Sequence, residues 1–283
     1  MPELRLQGGA LDGLALHYVV DGRGPAVVFL HGLGGFATSW RRTMEALASR
    51  VTVFALDLPG FGRSAKPRTR YGLRLFTGAL GGFLDALGIG QVSLVGHSLG
   101  AAVCTAYTAA WPGRVERLAF VAGLVPGCGY RPSRAYRTLA LPALGEVLAL
   151  CGCRPLYRAA LSRCFYRPDV ETIAFLVEED YATRTAWEAR AAYLATVRSV
   201  REDFEAGVAH YRRALTAFDL PALLIHGRQD PVVPAAHCRE VSAVLPRATV
   251  RWLESCGHFP QLEHPEVVNE WLSEFIAARP APR

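Results

Sequence analysis

Lysine is almost missing from this 283-residue chain: Lys66 is the sole one, and arginine carries the rest of the positive charge. The net charge of +6 therefore has no basic run or basic helical stripe behind it, and acidic residues are interspersed throughout. That distribution excludes a nucleic-acid partner as the reason for the charge. Long apolar runs are lacking too. No uninterrupted stretch reaches the roughly 20 residues that a bilayer-spanning helix needs, so no stable membrane insertion is expected. Residues 1–5 show no basic start leading into an apolar signal core, and the expectation is a soluble, cytoplasmic protein. Paired cysteines are the third absence. The seven cysteines are odd in number, and Cys151-Gly152-Cys153 is the one close pair, without the partner pair of a zinc site. They read as small apolar side chains in a reducing compartment. No metal and no organic cofactor is expected.

What is present is apolar residue in quantity, 51% of the chain, enough for one large core with a modest inserted lid. Short apolar runs at 14–20, 26–30, 51–56, 92–95 and 117–122 have the length and composition of strands. They alternate with helical patterns at 38–49, 71–87 and just after 98. This alternation predicts an α/β fold with a mostly parallel, doubly wound sheet covered on both faces. From about 125 to 218 the strand-like runs stop, prolines punctuate the chain, and aromatics are frequent. That stretch reads as an inserted helical cap. Strand-like runs resume over 221–230, a strand that ends in a turn carrying Asp230, and at 248–253, with helices at 238–245 and 265–278. The expected organisation is a core from 1–124 and 219–283, with the cap at 125–218 between its halves.

The chain is organised around Gly96-His97-Ser98-Leu99-Gly100. An apolar strand runs into it and an alanine-rich helix leaves it, the context in which a G-x-S-x-G turn lifts a serine hydroxyl clear of a sheet. The first N–H groups of such a helix and its dipole favour an anion. In a parallel sheet the loops after later strands reach the same edge. Asp230 and His258 each occupy such a loop. A serine hydroxyl becomes a strong nucleophile only when an imidazole takes its proton, and the imidazole needs a carboxylate to hold its tautomer.

The motifs His31-Gly32-Leu33-Gly34, Asp57-Leu58-Pro59-Gly60-Phe61-Gly62-Arg63-Ser64, Gly96 to Gly100, Gly227-Arg228-Gln229-Asp230 and Gly257-His258-Phe259-Pro260 resemble the α/β-hydrolase superfamily. They match its serine-nucleophile branch with a helical cap. The resemblance implies Ser98 as nucleophile, Asp230 as acid and His258 as base. It implies the backbone N–H groups of Leu33 and Leu99 as the oxyanion hole. Phe259 and Val232, beside the base and the acid, are candidate substrate contacts. His31 and His97 are assigned to turn packing, Asp57 to bracing its own turn, and Glu254 and Glu263 to surface or capping roles. Serine at the elbow disfavours the superfamily's branches that use an aspartate nucleophile.

The expected reaction is cleavage of a carboxylic ester of an apolar acid through an acyl-enzyme. The rival readings are carbon–carbon cleavage of ring-fission diketones, thioester or lactone hydrolysis, and slow-turnover ligand binding. Against carbon–carbon cleavage, Phe259 stands where that branch often has tryptophan. In the cap, 138–151 is the most apolar helical stretch, with Glu146 its one charge. It is expected to bury both faces and roof the Ser98 cleft, with a lid that opens at lipid surfaces as the alternative.

Overall fold

The computed structural model describes residues 2–278 apart from 131, 133, 151, 152 and 185. Among the described residues eight strands form one sheet in the order β1-β2-β4-β3-β5-β6-β7-β8. The strands are β1 (Glu3–Arg5), β2 (Ala15–Gly22), β3 (Ala26–Leu30), β4 (Thr52–Leu56), β5 (Val92–His97), β6 (Val115–Val121), β7 (Ala222–Gly227) and β8 (Ala248–Leu253). β1 and β2 pair antiparallel at one edge, and every pairing from β4 to β8 is parallel. This is the mostly parallel α/β sheet that the alternation of elements predicts.

Alternation within each strand sends side chains to two cores. Val28, Leu30, Leu94, Leu118 and Leu224 face one side, where α2 (Leu73–Ala86), α3 (Leu99–Ala110) and α9 (Ala235–Val244) cover them. Val27, Phe29, Val95, Ala119 and Leu223 face the other, under α1 (Arg41–Leu47) and α11 (Pro265–Ala277). Strands covered on both faces need apolar residues at successive positions, and every residue of β5 and β7 is buried. Phe76, Phe83 and Tyr107 are almost wholly inside. Burial of an aromatic side chain of this size contributes about 1.5–3 kcal/mol.

Between β6 and β7 the chain is helical: α4 (Arg134–Leu139), α5 (Leu144–Leu150), α6 (Arg154–Ser162), α7 (Val170–Arg184) and α8 (Trp187–Ala217). A small core of Phe165, Ile173, Leu176 and Val177, joined by Phe36 from the sheet domain, holds part of this cap. The 31-residue α8 also packs on α2 and α3. There Asp203 accepts the Leu73 N–H at 2.7 Å and the Arg70 guanidinium at 2.7 Å. The first N–H of α2, which no helix can satisfy internally, is thus capped from the cap domain.

The apolar stretch 138–151 departs from expectation. Pro142 and a left-handed Ala143 (φ 63°) split it into α4 and α5. α5 does not bury both faces: Leu144, Val147 and Leu148 are exposed. Proline cannot continue the α4 ladder, because it lacks an N–H and its ring clashes with the preceding turn. Cys151, the end of that stretch and half of the close cysteine pair, lies outside the described residues. The other six cysteines are free thiols.

Candidate active site

Ser98 caps α3 in a backbone conformation (φ 49°, ψ −115°) that non-glycine residues rarely adopt. Strain of this kind costs on the order of 1–3 kcal/mol and is tolerated where the surroundings enforce it. Here the Ser98 N–H donates to the Val121 carbonyl at 3.1 Å, and its carbonyl accepts from Ala101 and Leu124. The neighbouring glycines are required by close approach. A Cβ on Gly100 would lie 2.3 Å from the Leu30 carbonyl oxygen, and one on Gly96 would lie 2.4 Å from the Ala101 nitrogen.

Asp230 follows β7 and His258 follows β8, and the fold brings them together. Asp230 Oδ2 lies 2.8 Å from His258 Nδ1, while Oδ1 accepts the N–H groups of Val232 (2.8 Å) and Val233 (2.9 Å). Burial would raise the Asp230 carboxyl. Attraction to and hydrogen bonding with His258, the nearby His226 and the Val233 N–H outweigh it and hold the group below the usual carboxylate range. An ionised Asp230 accepts His258 Nδ1–H, which leaves Nε2 as the basic nitrogen. Among the described residues no hydrogen bond joins Ser98 to His258. Such contacts often tighten only when substrate is bound.

Ser98 is the junction of two lobes. The larger, of about 410 Å³, holds His258, Phe259 and Tyr157 with Ser98. The smaller, of about 120 Å³, is lined by Leu99, Leu124, Val197, Val200 and Phe204 with Ser98. Leu33, Val232 and Tyr136 reach both lobes. Of the expected site residues, Ser98, His258, Leu33, Leu99, Phe259 and Val232 therefore surround one bilobed cavity, and Asp230 stands behind His258. The cap walls the smaller lobe with α4 and α8, through Tyr136, Val197 and Val200, and the larger with α6 and α7, through Tyr157, Leu161 and Leu176. Of the expected 138–151 roof only Leu139 and Ala140 line the cavity, and α5 does not. Cys164 also lines the larger lobe. Burial, with the Asp230 and Glu263 charges, pushes its thiol up to about 11, so it carries no thiolate near neutral pH.

The remaining candidates fall into bracing roles. Asp57 accepts His17 Nδ1–H at 2.7 Å and the N–H groups of Ala37 and Arg63. Burial would raise its carboxyl, but the His17 bond, the nearby His31 and these N–H groups hold it low. His31 accepts the Leu58 N–H at 3.0 Å and contacts the Gly32 carbonyl at 2.7 Å. Glu254 pairs with Arg228 at the surface. Sequence reasoning passes over His226, whose Nε2–H donates to the Val233 carbonyl at 2.9 Å and lies 3.5 Å from Asp230 Oδ2. Its position four residues before the acid is a signal only once the Asp230 turn is known to fold back on β7. Among the described residues no group of three His, Cys, Asp or Glu side chains is arranged to hold a metal ion. No described helix is long and apolar enough to cross a membrane.

A serine at a strand–helix elbow, on a sheet of this order beneath a helical insertion, defines a hydrolase of the α/β type. The chain belongs to the alpha/beta hydrolase family, whose model matches residues 27–271. It is 29% identical over 281 residues to an uncharacterized protein of Mycobacterium tuberculosis, covering 96% of this chain and 81% of that one. It is 28% identical to 2-hydroxy-6-oxo-2,4-heptadienoate hydrolase of Pseudomonas putida, with 91% of each chain covered. Among solved structures it resembles 2-hydroxy-6-oxo-6-phenylhexa-2,4-dienoate hydrolase from a Rhodococcus species. There the TM-score is 0.82 at 28% identity, over 98% of this chain and 99% of that one.

Proposed function

We propose that this chain hydrolyses a carboxylic ester of an apolar acid through an acyl group carried on Ser98. The observation that carries the reading is the place of Ser98 at the waist between two lobes, the smaller one mostly apolar and edged by Arg137, Arg201 and Glu205. A hydrolase that forms an acyl-enzyme must hold the acyl part and the leaving part on opposite sides of its nucleophile. His258 Nε2 takes the Ser98 proton as Oγ attacks the acyl carbon. The N–H groups of Leu33 and Leu99 hold the resulting oxyanion, and His258 returns the proton to the departing alkoxide. A water, deprotonated by the same nitrogen, then attacks the acyl-Ser98 ester; as the acyl–Oγ bond breaks, His258 hands that proton to Ser98 Oγ and the acid is freed. Each oxyanion donor contributes on the order of 10²–10³ in rate.

A second reading is supported by the relatives. Those from Pseudomonas and Rhodococcus are named for cleaving hydroxy-oxo-dienoates, anionic substrates whose scissile bond joins two carbons. Arg163 on the wall of the larger lobe suits such a carboxylate. Phe259, adjacent to His258, supports the ester reading instead. Assays of aryl esters of graded acyl length, run beside a phenyl- and a methyl-substituted hydroxy-oxo-dienoate with Ser98→Ala as control, test both. Dienoate turnover exceeding ester turnover in kcat/KM would replace the ester reading. Loss of neither activity in Ser98→Ala would remove the nucleophile.

A further inference from the structure

The loop that carries His258 is held by the cap as well as by the sheet domain. The His258 N–H donates to the Cys164 carbonyl at 2.7 Å. Gly257 lies so close beneath 164–166 that a Cβ would sit 2.5 Å from the Cys164 oxygen and 2.8 Å from the Tyr166 nitrogen. Phe165 stacks on Phe259, with ring centroids 4.7 Å apart and planes 16° from parallel.

Glu263, the last residue of α10 (Pro260–Glu263), closes this seam. Its Oε1 accepts the Gly257 N–H at 2.9 Å and the Phe259 N–H at 3.4 Å. Its Oε2 accepts the Tyr166 N–H at 2.8 Å. One carboxylate thus takes N–H groups from the residues on either side of His258 and from the cap. Hydrogen bonds to an ionised acceptor are stronger than neutral ones, and stripping the part-buried Gly257 and Phe259 N–H groups of their acceptor costs free energy, while the Tyr166 N–H lies at the exposed edge of the seam.

We propose that Glu263 is a positioning residue for His258: it locks the base-bearing loop and the cap edge 164–166 into one unit. It acts through the backbone of 257–259 and touches no reacting atom. The proposal rests on Ser98 and His258 being nucleophile and base. Glutamate is the side chain the site requires, because both of its oxygens accept. A glutamine has a single carbonyl oxygen, and its NH₂ would meet an N–H on whichever side the oxygen does not serve.

The test compares wild type, Glu263→Gln, Glu263→Ala and Ser98→Ala on p-nitrophenyl acetate, with active sites titrated by a fluorophosphonate well below each variant's Tm. Displacement of a reacting group by an ångström costs about 10²-fold. On that scale kcat per titrated site should fall roughly tenfold in Glu263→Gln and hundredfold in Glu263→Ala. KM should stay within about threefold, and the rate of Ser98 phosphonylation should fall in step. A purely structural glutamate would lower Tm and the titratable fraction but leave kcat per site alone. Wild-type kcat per site in Glu263→Gln overturns the proposal, whether or not Glu263→Ala folds. Turnover surviving in Ser98→Ala would instead overturn the hydrolase reading on which it rests.

Discussion

His97 Nε2–H donates to the carbonyl of His258 at 2.8 Å, so the residue before the elbow serine holds the backbone of the loop that follows β8. The two imidazole rings lie 4.9 Å apart. Burial, and then the proximity of His258, push His97 down to about 3 from an ordinary 6.5. It stays neutral across the ordinary pH range, and on the proposed mechanism proton transfer falls to His258. In the unfolded chain the same imidazole takes a proton below about pH 6.5.

Stability should therefore fall as the pH drops from 6.5 toward 3, at up to about 1.4 kcal/mol per pH unit from His97. Burial also lowers His226 and His237, which adds to the slope in the same window. His97→Asn keeps a side-chain N–H and removes one titration. The plot of Tm against pH should then be flatter between pH 6.5 and 4.5 by roughly 2–4 °C per unit. Parallel plots for the two proteins would contradict the buried, neutral assignment.

Asp230→Asn should leave the fold intact and lower kcat by about 10⁴-fold, because the imidazole then loses the anion that fixes its tautomer. In wild type Asp230 is held below the usual carboxylate range, so it stays ionised across the working range. The base must be neutral to take the Ser98 proton, so kcat/KM should fall on the acid side with no contribution from Asp230. A profile flat down to the acid-unfolding point would exclude His258 as base. Near-normal activity in Asp230→Asn would do the same for the acid. Asp57 is not a substitute, since its oxygens already serve His17, Ala37 and Arg63.

The elbow and the sheet are legible because their signals are local. Ser98 stands between an apolar strand and an alanine-rich helix, and the residues that position it, Gly96 and Gly100, are its neighbours in sequence. The apolar 138–151 stretch misleads because composition does not say which face finds a partner. The break at Pro142 and Ala143 turns α5 outward, and α8, a helix of mixed polarity, joins α4 in walling the smaller lobe through Val197 and Val200. The seam at Glu263 is invisible in the sequence because its cap partner, the Tyr166 N–H, is a backbone group almost a hundred residues away. Strand β1 is missed for a related reason: three residues at an exposed edge bury too little to show a pattern.

Gly100→Ala should destabilise the protein far more than Gly113→Ala, although both add one methyl group. At Gly100 the new carbon would lie 2.3 Å from the Leu30 backbone oxygen, whereas nothing stands within 4 Å of it at Gly113. Forced overpacking costs about 1–3 kcal/mol, and a free surface change stays within about 0.5 kcal/mol. Thermal unfolding of the two variants decides. Equal Tm values would mean that α3 can retreat from β3, and that the elbow is not held by this contact.

On the proposed ester mechanism the smaller lobe takes the acyl group, and Val200→Phe tests that assignment. Val200 is buried, with Leu124, Val197 and Phe204 among the other walls of the lobe. A phenyl ring there fills space that a longer acyl chain would occupy, while an acetyl group needs only the region next to Ser98. A methylene gained or lost in an apolar pocket changes kcat/KM by about ten- to two-hundredfold. Octanoyl esters should therefore lose at least tenfold in Val200→Phe, and acetyl esters should stay within about threefold. Leu161→Phe, on the wall of the larger lobe, should show the complementary pattern. It should discriminate among leaving groups and leave the acyl-length profile unchanged. If Val200→Phe instead selects against bulky leaving groups, the substrate lies the other way round in the cavity. The larger lobe, with Tyr157 and Phe259, would then be the acyl site.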